Sequence, residues 1–490
     1  MKLFSFMIGT MLSLSLLAQA PTSASGTLRV GIQHDINATN PHQSLDTITS
    51  TVLGNVFDTL VRYADETFDI IPGLALSWTS SEDFTKWTYT LRPGVTFHDG
   101  TPLTADIVVK SFMDVPNFPI EVSRDGEMNV VFSLKEGNAK FNDILAHPSK
   151  SVIHPSMIGN GSKAIGTGPF KFGTWQSGKS ISLTPNPSWW GGKVKAPEVM
   201  FIVYPNENAL VNDMIAGKID LAEWLSGDSI PALRKADNVT VKSSLGNNVG
   251  FLAMNTSHSP FERKEVREAV AHSINVVELT RTFFPGGTGA PATTFLPPPI
   301  FKTQGHPKSY NPTQAKDLLT KSGASLSKPM VLLQTWAPRP YMPDPAGIAK
   351  AVKESLENIG FTIRIVNDPD NFFTRLRAGD FDLCLSGWIG DSSDPVEFLA
   401  ANFHSNYIGL QNLPRWSDPQ FDRLIQTARV SKGFPFKKAM DDALGRMGNG
   451  VPLVPLFWGA QSAAWSKSVQ GYHVHPSNHM ILWNVSKNGS

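Results

Sequence analysis

The segment spanning residues 382–399 contains side chains suited to holding a charged ligand. Its apolar start, residues 383–385, predicts a short buried strand. Trp388 and an acid-rich turn that contains Asp391 follow this strand, and loops at strand ends often carry function. The Asp391 carboxylate could hold a ligand ammonium group. The alternative interpretation is that Asp391 or Asp394 caps the helix that begins after the turn.

A second candidate group follows another predicted strand, residues 330–335. Arg339 lies there in a proline-broken loop together with Tyr341. The planar guanidinium group of arginine suits bidentate binding of a carboxylate, and an exposed surface arginine is the alternative interpretation. His34 follows the first predicted strand, residues 27–32, and we include it among the candidate ligand-binding residues.

Motifs for catalysis are missing from the sequence. It contains no Gly-x-Ser-x-Gly, His-Glu-x-x-His or serine–lysine motif, and its 12 histidines are scattered. Cys384 is the only cysteine, so no internal disulfide can form, and its apolar surroundings predict an inert core thiol. We therefore predict no catalytic residue, no metal and no cofactor. An exported hydrolase is kept as the alternative functional class.

Length and charge limit the possible architectures and partners. The chain has 490 residues, which is enough for two or three lobes. Its 43 lysines and arginines nearly balance 42 aspartates and glutamates, for a net charge of +1. With no basic tail or RNA-binding motif, this balance argues against a nucleic-acid partner.

The N-terminus has the pattern of a secretory signal. Lys2 precedes a mostly apolar stretch that is too short to span a bilayer, and residues 18–20 and 22–24 are two candidate cleavage boxes. We predict that residues 1–24 form a signal peptide and that the mature protein is periplasmic. No cysteine lies near the cleavage site, so we expect no lipid anchor.

Predicted strands and helices alternate along the chain. This pattern predicts α/β lobes with mostly parallel sheets. In such sheets, ligands bind beyond the carboxyl ends of the strands. Asp391 and Arg339 are both predicted to lie at such ends.

Several segments carry a resemblance to a known family. The sequence GWIGDSSDP, residues 387–395, resembles the GW-x-x-D-x-x-DP segment of family 5 solute-binding proteins. Members of this family are periplasmic receptors of ABC importers for dipeptides, oligopeptides and nickel complexes. The segments PGLALSW, WTYTLRPGVTFHDGTPLTADIV and NPSWWGG also match family patterns. The resemblance runs from about Gly26 to the end of the chain.

The resemblance implies a type II-like periplasmic binding protein with two lobes, a hinged cleft, a smaller extra domain and discontinuous domains. On this basis we predict the following boundaries: lobe I at residues 25–50, 166–250 and 455–490, the small domain at residues 51–165, and lobe II at residues 251–454.

The resemblance also implies roles for individual residues. The dipeptide-binding branch has an RPY-x-P segment whose arginine binds the ligand carboxylate, which corresponds to Arg339 with Tyr341 beside it. The aspartate of its GW-x-x-D segment binds the ligand amino terminus, which corresponds to Asp391, with Gly387 and Trp388 in the same motif. These matches predict a short peptide ligand, a membrane permease as partner, and a monomer.

One departure from the branch bears on the ligand. The dipeptide branch usually carries a tryptophan on the loop after residues 361–366, where this chain has Asn-Asp-Pro-Asp-Asn. Some ligand-covering surface is therefore expected to be missing. A cationic antimicrobial peptide, haem, a nickel chelate or an opine are the alternative ligands.

Overall fold

The structure is a computed structural model that describes residues 26–44, 46–118, 120–159, 163–303, 305, 307–390 and 392–488. The predicted signal peptide and Asp391 lie outside the described residues. None of the described helices is both long enough and apolar enough to cross a bilayer.

Strands and helices alternate along the described chain, as the sequence predicts. The strands are β1 (Leu28–Ile32), β2 (Val61–Tyr63), β3 (Ile70–Pro72), β4 (Ala75–Ser80), β5 (Lys86–Leu91), β6 (Glu121–Asp125), β7 (Asn129–Ser133), β8 (Phe170–Gln176), β9 (Ser180–Pro185), β10 (Val199–Val203), β11 (Leu221–Ala222), β12 (Val239–Leu245), β13 (Asn248–Met254), β14 (Gly289–Pro291), β15 (Met330–Gln334), β16 (Ile363–Val366), β17 (Leu383–Ile389), β18 (Leu453–Ser466), β19 (Val469–Gln470) and β20 (Ser486–Lys487). The α-helices are α1 (Thr47–Gly54), α2 (Ala105–Met113), α3 (Phe141–Leu145), α4 (Glu207–Ile215), α5 (Ile230–Arg234), α6 (Lys264–Ser273), α7 (Val276–Phe283), α8 (Pro312–Ser322), α9 (Pro345–Glu357), α10 (Phe372–Ala378), α11 (Pro395–Phe403), α12 (Pro419–Arg429) and α13 (Gly433–Gly450).

One large sheet extends through both lobes of the molecule. Its strand order is β16-β15-β17-β13-β18-β11-β1-β10-β9-β8, with β12 and β14 also paired to β18. The long strand β18 belongs to both halves: residues 453–459 pair with β13 and β14, and residues 460–466 pair with β12. We call the half that contains β1 and β8–β12 the first lobe, and the half that contains β13–β17 the second lobe.

The sheet is less parallel than the sequence pattern predicts. Parallel ladders join β1 to β10 and β11 in the first lobe, and β15 to β16 and β17 in the second. The other ladders of the large sheet are antiparallel. The prediction of mostly parallel sheets is therefore wrong, because hairpins and the strands that carry the chain between the lobes add antiparallel neighbours to each parallel centre.

A separate four-stranded antiparallel sheet has the order β4-β5-β7-β6. Its buried side chains, among them Trp87, Tyr89 and Phe132, share one hydrophobic core with β1 and the rest of the first lobe. The second lobe has its own cores on the two faces of its half of the sheet. The exact division into a small domain and two lobes at the predicted residue boundaries stays a prediction.

Short stretches of sequence explain why β17 and α11, which flank the acid-rich turn, form where they do. Strand β17 begins with three fully buried apolar residues, 383–385, and becomes half-exposed from Ser386 onward. Helix α11 begins at Pro395, and the Asp394 side chain accepts a hydrogen bond from the backbone N–H of Val396. The predicted cap at Asp394 is thus confirmed.

Candidate ligand-binding cleft

Two adjoining cavities lie between the lobes. The first, of about 570 Å³, is lined by His147 and His479 from the first-lobe side and by Trp388 from the second, and we call it the histidine cavity. The second, of about 660 Å³, is lined by Arg339 among others, and we call it the arginine cavity. Thr47, Ile389 and Asn478 line both cavities, so the two form one continuous groove.

A third cavity, of about 700 Å³, lies within the second lobe between α6, α13 and the segment around residues 293–308. None of the candidate ligand-binding residues lines it. The cavity therefore has no connection with the charged groups that the sequence singles out.

Arg339 lies at the tip of a tight turn that follows β15. Its backbone N–H and C=O both pair with Met342, at 3.0 and 2.8 Å. The guanidinium carbon lies 5.2 Å from the centre of the Trp336 ring, and Nη1 donates to the Pro338 carbonyl at 3.2 Å. Among the described residues, no carboxylate pairs with this guanidinium group. Arg339 thus presents its guanidinium cation to the arginine cavity, and the Trp336 ring holds this cation in place.

Tyr341 is buried beneath the groove, with 8% of its surface exposed. Burial raises the pKa of its hydroxyl, while the neighbouring Arg339 lowers it. Gly387 and Gly250 pair with each other on adjacent strands, directly under this segment. A Cβ atom at Gly387 would lie 2.2 Å from Tyr341 Cε2, and one at Gly250 would lie 2.4 Å from the Tyr341 carbonyl oxygen. The two glycines therefore allow the Arg339 loop to lie against the sheet.

The end of β17 faces the histidine cavity. Trp388 is half-buried and lines this cavity, as do Gly390 and Ser392, the residues on either side of position 391. Asn247 holds Gly390 in place, because its carbonyl accepts from Gly390 N–H at 2.9 Å and its Nδ2 donates to the Gly390 carbonyl. The predicted ligand-binding Asp391 itself lies outside the described residues.

Buried carboxyl groups lie behind this turn. Burial raises the pKa of Asp394 to about 8, and the nearby Asp143 and Glu397 add to this rise. Burial also raises the pKa of Asp143, whose Oδ1 accepts a hydrogen bond from the Ser393 hydroxyl. The Tyr63 hydroxyl donates to the Asp143 carbonyl at 3.0 Å. These contacts join the turn of the second lobe to the segment that contains α3.

His34 is exposed, and its Nδ1 lies 3.3 Å from the Asp35 carbonyl. It does not line either cavity, whereas the preceding Gln33 lines the arginine cavity. Asp35 accepts from Trp175 Nε1 and from the Gly178 N–H, which fixes this loop on the surface. The structure thus places Arg339 and Trp388 on the groove, Tyr341 and Gly387 beneath it, and His34 beside it.

The sequence interpretation missed the histidines of the cleft. His147 and His479 face each other with ring centres 5.5 Å apart and ring planes at 77°. A signal for one of them was available, because His147 begins one of three His-Pro-Ser segments, at residues 147–149, 154–156 and 475–477. In each segment the histidine Nδ1 accepts a hydrogen bond from the serine N–H.

The described residues include a buried thiol. Cys384 is fully buried, and burial raises the pKa of its thiol, which confirms the predicted inert core position. Within the described ranges, no group of three or more histidine, cysteine, aspartate or glutamate side chains could hold a metal ion.

Comparisons with known proteins agree with this geometry. Residues 69–409 match the family model described as "Bacterial extracellular solute-binding proteins, family 5 Middle". The chain is similar to the dipeptide-binding protein of Pseudomonas aeruginosa, with 27% identity over 475 residues that cover 88% of this chain and 89% of the relative.

Two solved structures have a similar fold. HbpA2 from Haemophilus parasuis has a TM-score of 0.88 and 23% identity, with 94% of this chain and 100% of that chain covered. The dipeptide binding protein from Pseudoalteromonas sp. SM9913 in complex with Met-Leu has a TM-score of 0.75 and 24% identity, with 94% and 100% covered. These likenesses confirm the predicted two-lobed α/β fold of type II periplasmic binding proteins.

Proposed function

Because the chain belongs to family 5 of the bacterial extracellular solute-binding proteins, the periplasmic binding proteins of ABC transporters, we propose that it captures short peptides and delivers them to a membrane permease. The relative in Pseudomonas aeruginosa is named for dipeptide binding. Peptides with free termini carry a cation and an anion at opposite ends. A site for them therefore needs one group of each charge in a groove between the lobes.

The observation that supports this proposal best is the environment of Arg339. Its guanidinium group lines the groove, is steadied by the Trp336 ring, and has no carboxylate partner among the described residues. A ligand carboxylate would supply the missing anion through two parallel hydrogen bonds. We propose that Arg339 binds the peptide carboxyl terminus.

The opposite end of the peptide requires an anion. We propose that Asp391 binds the ligand ammonium group, on the strength of its motif and of its position in the chain between Gly390 and Ser392, which line the histidine cavity. Trp388 would then cover the ligand from the second lobe. Tyr341 and Gly387 support the Arg339 loop from beneath rather than by a direct polar contact.

The remaining parts of the proposal concern export, assembly and chemistry. We propose that residues 1–24 direct export and are removed, that the mature protein is a monomer, and that bound peptide is released unchanged. The exported hydrolase stays the alternative. Incubation with a peptide library followed by mass spectrometry would reveal any turnover.

Calorimetry with two variants and three forms of one peptide tests the clamp. Arg339→Ala should weaken binding of a free peptide by about 30-fold or more, because truncating one partner of a buried charge pair commonly costs about 2–5 kcal/mol. The loss should be much smaller for a C-terminally amidated peptide, which has no carboxylate. Asp391→Asn should weaken the free peptide similarly and change little for an N-acetylated one.

Matched controls are available on the exposed surface. Arg364→Ala and Asp370→Asn remove the same groups from exposed positions and should leave the affinity unchanged. If Arg339→Ala and Asp391→Asn both bind free peptides as tightly as the wild type, the clamp is wrong.

A further inference from the structure

Two imidazole rings form part of the wall of the histidine cavity and have no role in the proposed clamp. His147 begins the 3₁₀ turn Pro148–Lys150, and His479 lies in the C-terminal segment after β19. No hydrogen bond is formed by either Nε2 atom within the described part of the chain, and neither atom is sealed from solvent. Both are therefore free to bind a ligand.

The tautomer of His147 is fixed by its own turn. The backbone N–H of Ser149 lies 3.1 Å from His147 Nδ1. Since a backbone N–H can only donate, Nδ1 must carry a lone pair, and the single proton of the neutral ring lies on Nε2. The Ser149 hydroxyl, 2.8 Å from the same Nδ1, can donate to it as well. His147 therefore presents an N–H donor to the cavity.

The tautomer of His479 follows from a chain of contacts through Ser477. His475 Nε2 lies 3.0 Å from the carbonyl oxygens of both Ala64 and Thr67, so Nε2 carries the proton of that ring. His475 Nδ1 then accepts from the Ser477 N–H at 3.1 Å and from the Ser477 hydroxyl at 2.6 Å. This uses the only hydrogen that the hydroxyl has.

The Ser477 oxygen can therefore only accept from its other neighbour. That neighbour is His479 Nδ1, at 3.1 Å, which must donate its proton to Ser477 Oγ. The Nε2 atom of neutral His479 then carries a lone pair. His479 therefore offers an acceptor and His147 a donor, on two rings of the cavity wall whose centres lie 5.5 Å apart.

Both rings are neutral near pH 7. Burial lowers the pKa of His147 to about 4, and Lys150 contributes further. Burial also lowers the pKa of His479 well below its ordinary value, and the neighbouring His147 and His475 add to this effect. The donor and acceptor therefore persist through the neutral range.

We propose that His147 and His479 bind the C=O and N–H of one internal residue of an extended peptide, with His147 Nε2–H donating to the carbonyl oxygen and His479 Nε2 accepting from the N–H. This inference rests on the proposed function and names its ligand class more closely. In an extended chain the N–H and C=O of one residue point to the same side, as they do towards a partner strand. The two rings take the place of that partner residue.

The pair also sets a minimum length for the ligand. In a dipeptide, the first residue has an ammonium group in place of the amide N–H, and the second has a carboxylate in place of the amide carbonyl. Only the central residue of a tripeptide, or an internal residue of a longer peptide, offers both neutral groups. The pair therefore favours ligands of three or more residues. The His147 tautomer also disfavours a metal, because its Nε2 has no lone pair to offer.

Calorimetry with trialanine and its ester analogue tests the inference. In the analogue, the bond between the first and second residues is an ester, so the central N–H is missing while both charged termini remain. The wild type should bind the amide about three- to tenfold more tightly than the ester, the usual worth of one hydrogen bond. His479→Phe should bind both equally. His147→Phe should weaken trialanine by a similar factor.

Two control variants separate this effect from structural damage. His154→Phe disrupts an identical His-Pro-Ser turn outside both cavities, and His473→Phe alters an exposed ring near His479. Both should bind like the wild type. The wild-type comparison of amide and ester needs no variant at all, so it is independent of folding defects.

The outcomes distinguish this inference from the proposed function. If trialanine binds and Arg339→Ala weakens it, but the wild type does not discriminate amide from ester, the histidine inference is overturned and the clamp stands. The histidine inference is also overturned if His479→Phe still prefers the amide over the ester as strongly as the wild type does. If neither dialanine nor trialanine binds the wild type, both proposals fail.

Discussion

Asn248 pairs its side-chain amide with both backbone groups of Gly459. Its Nδ2 donates to the Gly459 carbonyl at 3.2 Å, and its Oδ1 accepts from the Gly459 N–H at 2.9 Å. Asn248 begins β13 where the chain leaves β12, and Gly459 lies in β18 where that strand changes partners. One buried side chain thus joins two of the segments that connect the lobes.

We expect Asn248→Ala to lower the free energy of unfolding by about 1–3 kcal/mol, because the buried Gly459 N–H loses its partner and the Gly459 carbonyl keeps only the Gly246 N–H. Denaturant titration measures this change. Asn358→Ala, at an exposed position after α9, is the matched control and should have little effect. An equal stability of the wild type and Asn248→Ala would show that this amide does not tie the two segments together.

We expect Gly387→Ala to destabilise the protein and to weaken peptide binding. The new Cβ would lie 2.2 Å from the Tyr341 ring, so Tyr341 and the attached Arg339 loop would have to move. Overpacking of this kind typically costs about 1–3 kcal/mol. Thermal melting and calorimetry measure the two effects.

Gly445→Ala is the control for this substitution. No atom lies within 4 Å of a Cβ at Gly445, which lies inside α13. Alanine there should leave stability unchanged or raise it slightly. Normal stability and normal binding in Gly387→Ala would mean that the Tyr341 ring does not depend on this glycine.

Asp394 should make stability depend on pH. Its folded pKa of about 8 lies above the unfolded value, so the folded protein holds a proton that the unfolded chain loses near pH 4. The contribution is fully present below pH 4 and is lost as pH rises towards about 8, by up to about 1.4 kcal/mol per pH unit. Asp394→Asn keeps the capping oxygen without the titration, so its unfolding free energy should fall less steeply over this range.

Denaturant titrations at several pH values between about 4 and 9 measure this slope. Asp143 also has a raised pKa, so part of the dependence should remain in Asp394→Asn. Asp344→Asn changes an exposed helix cap, at the start of α9, and serves as the control. The same slope in wild type and Asp394→Asn would contradict the raised pKa.

Local features of the site could be predicted from the sequence. The apolar residues 383–385 indicate a buried strand, the Asp-Pro pair at Asp394 indicates a helix start, and the proline-broken segment around Arg339 indicates a loop. Each of these depends on a few consecutive residues. The buried position of Cys384 follows from the same apolar run.

The sheet order and the histidine pair depend on contacts between distant parts of the chain. The sequence of β18 is mostly apolar along its length. Its residues do not indicate that one half pairs with β13 and the other half with β12. His147 and His479 meet because two segments that are far apart in the sequence pack together. The repeated His-Pro-Ser segments are visible in the sequence, but they do not show which histidine lines the groove, and His479 belongs to none of them.

Contacts far from the groove also hold the second lobe to the four-stranded sheet. Lys432 Nζ lies 4.4 Å from the centre of the Phe84 ring and 5.1 Å from that of Trp87. Nearby, the Ala139 N–H donates to the Arg429 carbonyl at 2.8 Å. If the lobes separate to admit a ligand, these contacts must break, so they should favour the closed state without touching the ligand.

We therefore expect Lys432→Gln to enlarge the radius of gyration of the unliganded protein in solution scattering. It should also weaken every ligand by the same factor, about two- to fivefold, which is the worth of one exposed cation–π contact. Lys438→Gln is the matched control, because Lys438 pairs with Asp442 within its own helix. An unchanged radius together with unchanged affinity would show that Lys432 does not stabilise closure, and a loss confined to one ligand would point to a direct contact instead.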